Sequence, residues 1–167
     1  KRGNIMSNQF NADEIFEMAK RIESNGSAFY RKAADMNSEW KDLLLEIAEQ
    51  EDIHLATFKD MQKELTTRET EPMAFDPYEE ADMYLKAMAD GHVFDTGKDP
   101  SEILGDVKDP GGIIDFALGM EKDSIVFYVG LKEFMPRIMG PEKVQEIISE
   151  EMKHIVWLNN CLRKIKG

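Results

Sequence analysis

Two four-residue stretches, Glu51-Asp52-Ile53-His54 and Glu151-Met152-Lys153-His154, each set a carboxylate three residues ahead of an imidazole. On an α-helix that spacing puts both groups on one face, a turn apart, where they can grip one cation together. Each stretch has a lone glutamate upstream, Glu23 and Glu121, at nearly matched intervals of 28 and 30 residues. One Glu from each of two helices, with a Glu-x-x-His from each of two others, is the donor set of a carboxylate-bridged dinuclear metal centre in a four-helix bundle. The expected metal ligands are therefore Glu23, Glu51, His54, Glu121, Glu151 and His154, with Glu51 and Glu151 as the bridging, catalytic carboxylates.

Charge balance supports two cations. Four ionised carboxylates buried together are prohibitive without compensation, because each would escape by protonating or pairing. No Lys or Arg shares these stripes near the glutamates, whereas two divalent ions supply +4 against −4 and neutral imidazoles complete the shells. Carboxylate and imidazole donors suit iron, manganese or zinc. Two ferrous ions match the two electrons of peroxide reduction, so the expected cofactor is two iron ions, with manganese or zinc as alternatives. Tyr30 and Tyr128 each follow a proposed ligand by seven residues on the same helix face, and are expected to donate hydrogen bonds to ligating carboxylates. A single Glu-x-x-His on a helix is ordinarily a solvated face. Two, each inside an apolar stripe and each with an upstream partner, reverse that reading.

The elements that must position these groups are four long helices. The first is expected over 11–36, with Asn11 and Glu14 as a capping box and Ile15, Ala19, Ile22, Gly26, Phe29 and Ala33 at steps of three and four. The second, capped by Ser38 and running to about Leu65, has Leu44, Ile47, Ala48, Leu55, Phe58 and Met61 on its apolar face, with Glu51 inside that face. A third is expected from about Gly112 to Phe134. The fourth starts at Pro141, which suits the first helical position, and runs to Ile165 with Val144, Ile147, Ile148, Ile155, Leu158 and Leu162 on one stripe. The stretch 66–112 is punctuated by proline and glycine. It is too long for a structureless loop, so it reads as a crossover with a short helix over Tyr78 to Ala89 and a turn over Ser101 to Gly105. No strand pattern occurs. The expected fold is all-α: an antiparallel four-helix bundle over 11–167, after a disordered or tag-derived segment at 1–10 in which Met6 reads as the natural start.

The halves also resemble each other. A shift of 98 maps Ala19, Glu23, Phe29 and Tyr30 onto Ala117, Glu121, Phe127 and Tyr128. A shift of 100 maps Glu46, Ile47, Glu51 and His54 onto Glu146, Ile147, Glu151 and His154. Two hairpins related by a pseudo-twofold axis would bring both Glu-x-x-His turns to one level of the core.

Composition narrows the functional classes. The 167 residues suit a single domain with a sizeable core. A net charge of −12 argues against nucleic acid or an anionic membrane as partner, and the acidic residues outnumber the 21 basic ones even after four glutamates are given to metal. The single cysteine, Cys161, excludes an internal disulfide framework and is expected to pack as a small hydrophobe, in keeping with a cytoplasmic protein. No apolar run approaches a membrane span. His92, in the crossover, reads as a loop residue. Trp40 and Trp157 read as core, the 11 methionines as core filler and the acidic run from Asp76 to Asp82 as a charged first turn.

Taken together, Arg21-Ile22-Glu23 through Phe29-Tyr30, Ala48 through His54, Glu121 through Tyr128 and Glu150 through His154 resemble the rubrerythrin-like branch of the ferritin-like superfamily. The resemblance implies a non-haem di-iron centre, a homodimer, and peroxide reduction or ferrous oxidation by dioxygen or peroxide, a role in oxidative stress. Two departures follow. The family's four-cysteine rubredoxin domain has no counterpart in these residues, so turnover would need an external electron donor of rubredoxin type. The family's extra glutamate, one turn after the third-helix ligand, is replaced by Ser124. The competing expectations are iron storage or metal buffering without turnover, and a structural bundle that binds zinc.

Overall fold

The computed structural model describes residues 12–66, 80–89, 109–135 and 140–167, together with 102, 104, 105 and 107. Its helices are α1 (Ala12–Met36), α2 (Lys41–Thr66), α3 (Glu80–Ala89), α4 (Pro110–Phe134) and α5 (Pro141–Lys166). The four long ones form the expected bundle, and no strand occurs among the described residues. The proposed Asn11 cap, His92, residues 1–10 and most of the run from Asp76 to Asp82 lie outside the described residues.

α1 packs closely on α2, and α4 on α5, with thinner seams joining α1 to α4 and α2 to α5. Small residues permit the close pairing: Ala19, Ala33 and Ala48 are fully buried, and Gly26 lies against Glu51 of α2. The wider space between the two hairpins takes the large side chains. Phe58 meets Tyr128 there with ring centroids 5.2 Å apart, and within the first hairpin Phe58 also meets Phe16 at 6.3 Å. Phe29 packs on Phe116 at 5.3 Å. These tilted contacts stabilise the core beyond simple area burial, by about 0.5–1.5 kcal/mol each.

The helix boundaries differ from expectation where capping chemistry lies outside the apolar pattern. α2 is not capped by Ser38. Residues 38–40 bend, and the carbonyl of Trp40 accepts the Leu44 N–H at 3.0 Å, so the helix begins at Lys41, two residues later than a Ser38 cap implies. α4 starts at Pro110 rather than Gly112, because the Asp109 carboxylate accepts the Gly112 N–H at 2.8 Å and proline suits the first helical position. α3 is described over Glu80–Ala89, and the expected start at Tyr78 lies outside the described residues. Gly140, at φ 76 and ψ 54, provides the left-handed turn into Pro141 that a side chain would strain. The Leu104–Gly105 turn forms as expected, with Leu104 buried.

α3 lies on α4, where the Tyr84 hydroxyl donates to the Val126 carbonyl at 2.8 Å. Its ring occupies the space beside Gly130, where an added Cβ would overlap Tyr84 Cε1. Leu55 and Ile155, expected in the apolar stripes, are only half-buried, as are Trp40 and Trp157, which pack against the core from its edge. The Lys164 ammonium lies 5.3 Å from the Trp40 ring centroid. Cys161 is buried, as expected, and burial pushes its thiol pKa up. Among the described residues, no helix is long and apolar enough to cross a membrane.

Candidate metal centre

All six expected ligands converge at the middle of the bundle. Glu23 comes from α1, Glu51 and His54 from α2, Glu121 from α4, and Glu151 and His154 from α5, and every one is buried. Donor atoms of Glu23, Glu51, His54 and Glu151 lie within 4.8 Å of one another, and so do those of Glu51, Glu121, Glu151 and His154. The two quartets share Glu51 and Glu151. They are the pair expected to bridge two cations. The two imidazoles lie 6.1 Å apart between ring centroids, at an interplanar angle of 27°.

Both histidines turn Nδ1 towards the carboxylates. His54 Nδ1 is 3.3 Å from Glu23 Oε2 and 3.2 Å from Glu151 Oε1. His154 Nδ1 is 2.9 Å from Glu151 Oε2, 3.4 Å from Glu51 Oε1 and 3.5 Å from Glu121 Oε1. The outer nitrogens cross to the opposite hairpin: His54 Nε2 meets Glu150 Oε2 at 2.6 Å and His154 Nε2 meets Gln50 Oε1 at 2.8 Å. The tyrosines cross as well. Tyr30 donates to Glu121 and Tyr128 donates to Glu23, so each hairpin's tyrosine holds the other hairpin's lone glutamate.

The electrostatics are those of a site with too much negative charge. Burial, with the charges of neighbouring carboxylates, raises Glu23 and raises Glu51 further, and lifts Glu121 to about 8. Burial would also raise Glu151, but hydrogen bonds from His154 and His54 outweigh it and lower its pKa. Burial would lower the imidazoles. Hydrogen bonds and the charges of Glu151 and Glu23 instead lift His54 to about 11, and Glu121 and Glu151 lift His154 to about 9. Burial and the adjacent carboxylates push both tyrosines well above the ordinary phenol value.

Divalent cations fit these donors. Buried Glu23 Oε2, Glu51 Oε1 and His54 Nδ1 have close polar neighbours but no hydrogen bond of good geometry, although such atoms ordinarily find one. All three belong to residues of the quartets. Two divalent ions between the quartets would satisfy these orphans and neutralise the carboxylates without protonating them. Gly26 shapes the same space: an added Cβ would come 2.6 Å from Glu51 Oε2.

Several contributors escaped the sequence reading. Gly26 was assigned only to the apolar stripe. Gln50 and Glu150 precede the two key glutamates and correspond under the shift of 100, which was the available signal. Asp52 accepts from Ser27 at 2.7 Å and from Arg31 at 2.6 Å, and Arg31 also donates to Ser27. That network fastens α1 to α2 beside the site and had no sequence signature. Ser124, instead of facing the ligands with a carboxylate, returns its hydroxyl to the Met120 carbonyl at 3.0 Å.

No family model matches the sequence. Nor does any curated protein match it. Among solved structures, the chain is similar to a candidate ferritin-like diiron-carboxylate protein from Thermotoga maritima. The two are 26% identical, with a TM-score of 0.67 over 93% of this chain and 96% of that one. The likeness spans the whole bundle, and the fold is the ferritin-like four-helix bundle.

Proposed function

We propose that the chain is a rubrerythrin-like di-iron oxidoreductase that reduces peroxide, or oxidises ferrous iron with dioxygen or peroxide. The observation that carries this reading is the pair of buried quartets sharing Glu51 and Glu151. The likeness to the Thermotoga maritima protein, a candidate ferritin-like diiron-carboxylate protein, supports it. Glu23, Glu51, His54 and Glu151 would hold one iron, and Glu51, Glu121, Glu151 and His154 the other. When bound, two ferrous ions supply the two electrons that, with two protons, convert hydrogen peroxide to two waters.

The protein residues set the conditions for that chemistry. Glu51 and Glu151 contribute to both quartets and so keep the two positions in register through a change of charge. Tyr30 and Tyr128 hold Glu121 and Glu23 by hydrogen bonds from opposite hairpins, limiting their rotation. Buried Phe29, Phe58 and Phe127 pack on the rings of Tyr30 and Tyr128, and the burial of the four carboxylates strengthens the charge interactions among them. Electrons would return from a separate donor protein of rubredoxin type.

The test is anaerobic preparation with ferrous iron, followed by metal analysis and addition of peroxide. The reading requires two irons per chain, about one equivalent of peroxide consumed per ferrous pair, and a rise in near-ultraviolet ferric absorption. Bound iron that does not react with peroxide or dioxygen would support storage. Zinc retained in preference to iron, with no oxidation chemistry, would support a structural bundle.

A further inference from the structure

The two halves of the site differ in what the outer nitrogen of each histidine meets. His54 donates its outer N–H to Glu150, and His154 donates its own to Gln50. The two partners correspond under the shift of 100 that relates the Glu-x-x-His turns, yet one is a carboxylate and the other a neutral amide. With Nδ1 of each ring facing the metal-donor cluster, Nε2–H is left to donate outward. The acceptor therefore determines how electron-rich the inner nitrogen becomes. A carboxylate acceptor draws the N–H proton towards itself and makes Nδ1 a stronger donor, and a neutral amide does this less.

We infer that Glu150 and Gln50 make the two metal positions unequal, so that the position served by Glu23 and His54 holds its cation more tightly than that served by Glu121 and His154. This inference rests on the dinuclear reading above. Partners of ligating histidines typically change metal affinity by about 10–100-fold when replaced. Glu150 is 40% exposed, and solvent screens part of its charge, so the difference belongs near the lower end, about tenfold. Glu150 and Gln50 are positioning residues: they act on the cation through the imidazoles. The consequence is ordered loading, with the His54 position filled first and the His154 position the exchangeable one.

The test is a titration of the metal-free full-length chain with Co²⁺, followed by visible absorption and calorimetry. Wild type is expected to bind two equivalents in separate steps, the first about tenfold tighter. Glu150→Gln should weaken the tight step and leave the other in place, whereas Gln50→Glu should tighten the weak step. Either substitution brings the steps together. His54→Ala should remove the tight step and His154→Ala the weak one, which assigns each step to its half of the site. A purely structural role for either residue would shift both steps together. Two bound equivalents whose steps are unmoved by both substitutions would overturn the inference and leave the dinuclear reading standing. Fewer than two equivalents in wild type would overturn the dinuclear reading itself, and the inference with it.

Discussion

Replacing Gly26 by alanine separates the stability of the helix from the integrity of the metal site. Gly26 lies within α1, where glycine is about 1 kcal/mol less favourable than alanine, so substitution alone should stabilise the metal-free chain. The new Cβ, however, would lie 2.6 Å from Glu51 Oε2 and 3.2 Å from its carboxyl carbon. Ordinary contact needs about 3.5 Å, so the carboxylate must move by most of an ångström. Metal–ligand distances tolerate only about 0.2 Å, so such a shift disturbs Glu51 as a ligand. Because Glu51 belongs to both quartets, both cations should be affected. A 10–100-fold loss of affinity corresponds to about 1.4–2.8 kcal/mol, and metal-linked stabilisation falls by a similar amount. At about 2–4 °C per kcal/mol for a chain of this size, the metal-free variant should melt about 2–4 °C higher. Its gain on adding metal should shrink by about 3–11 °C. Gly119→Ala is the control, because a Cβ there meets nothing within 4 Å, so the helix gains and the site stays intact. Thermal melts with and without Co²⁺, alongside direct titration, give both quantities. Wild-type affinity at both positions in Gly26→Ala would refute the placement of Glu51 as a shared ligand.

Three further outcomes follow from the same geometry. Glu51→Ala or Glu151→Ala should abolish binding of the metal pair while leaving helical circular dichroism largely intact; full metal stoichiometry in either variant would contradict the shared-ligand assignment. Tyr30→Phe and Tyr128→Phe each remove one hydrogen bond to a ligating carboxylate and should weaken metal binding about tenfold without unfolding the bundle, as measured by Co²⁺ titration. In the metal-free chain, His54 and His154 are raised from 6.5 to about 11 and about 9, so their stabilisation is complete below about pH 6.5 and declines as pH rises towards those values. Glu121, raised from 4.5 to about 8, is protonated when folded and ionised when unfolded in between, which also lowers stability as pH rises. Glu151 acts in the opposite direction, but below its ordinary value of 4.5. Metal binding displaces these protons and strengthens with pH, so the gap between metal-free and metal-loaded melting temperatures should widen from pH 6.5 to 9. Parallel curves would show that these groups do not meet a cation.

The candidate ligands were legible because a carboxylate on an apolar stripe is a signature that apolar packing does not leave. A glutamate such as Glu51 inside a stripe of Ile47, Ala48 and Phe58 conflicts with burial unless a cation accompanies it, and four such conflicts at repeated spacing identify one site. The tyrosines were legible for the same reason, as polar groups on a core face. What they hold was not: Tyr30 reaches Glu121 and Tyr128 reaches Glu23 across the bundle, and helical spacing speaks only of one helix at a time. Gln50 and Glu150 were hidden because glutamine and glutamate beside a buried stripe are ordinary surface residues, and their contacts depend on how the hairpins dock. Gly26 was hidden because a missing side chain has no chemistry of its own until a neighbour fills the space. Helix starts shifted for a similar reason. Asp109 caps α4 from outside the apolar pattern, and the bend at 38–40 delays α2 despite a good capping residue at Ser38.

The central claim is a pair of metal ions held by two buried quartets that share Glu51 and Glu151. X-ray absorption on anaerobically iron-loaded protein, with metal content measured on the same sample, tests it most directly. The account predicts two irons per chain and iron–iron scattering at about 3.5–4 Å, with oxygen and nitrogen neighbours only. One iron per chain, or two with no metal–metal scattering, would contradict it.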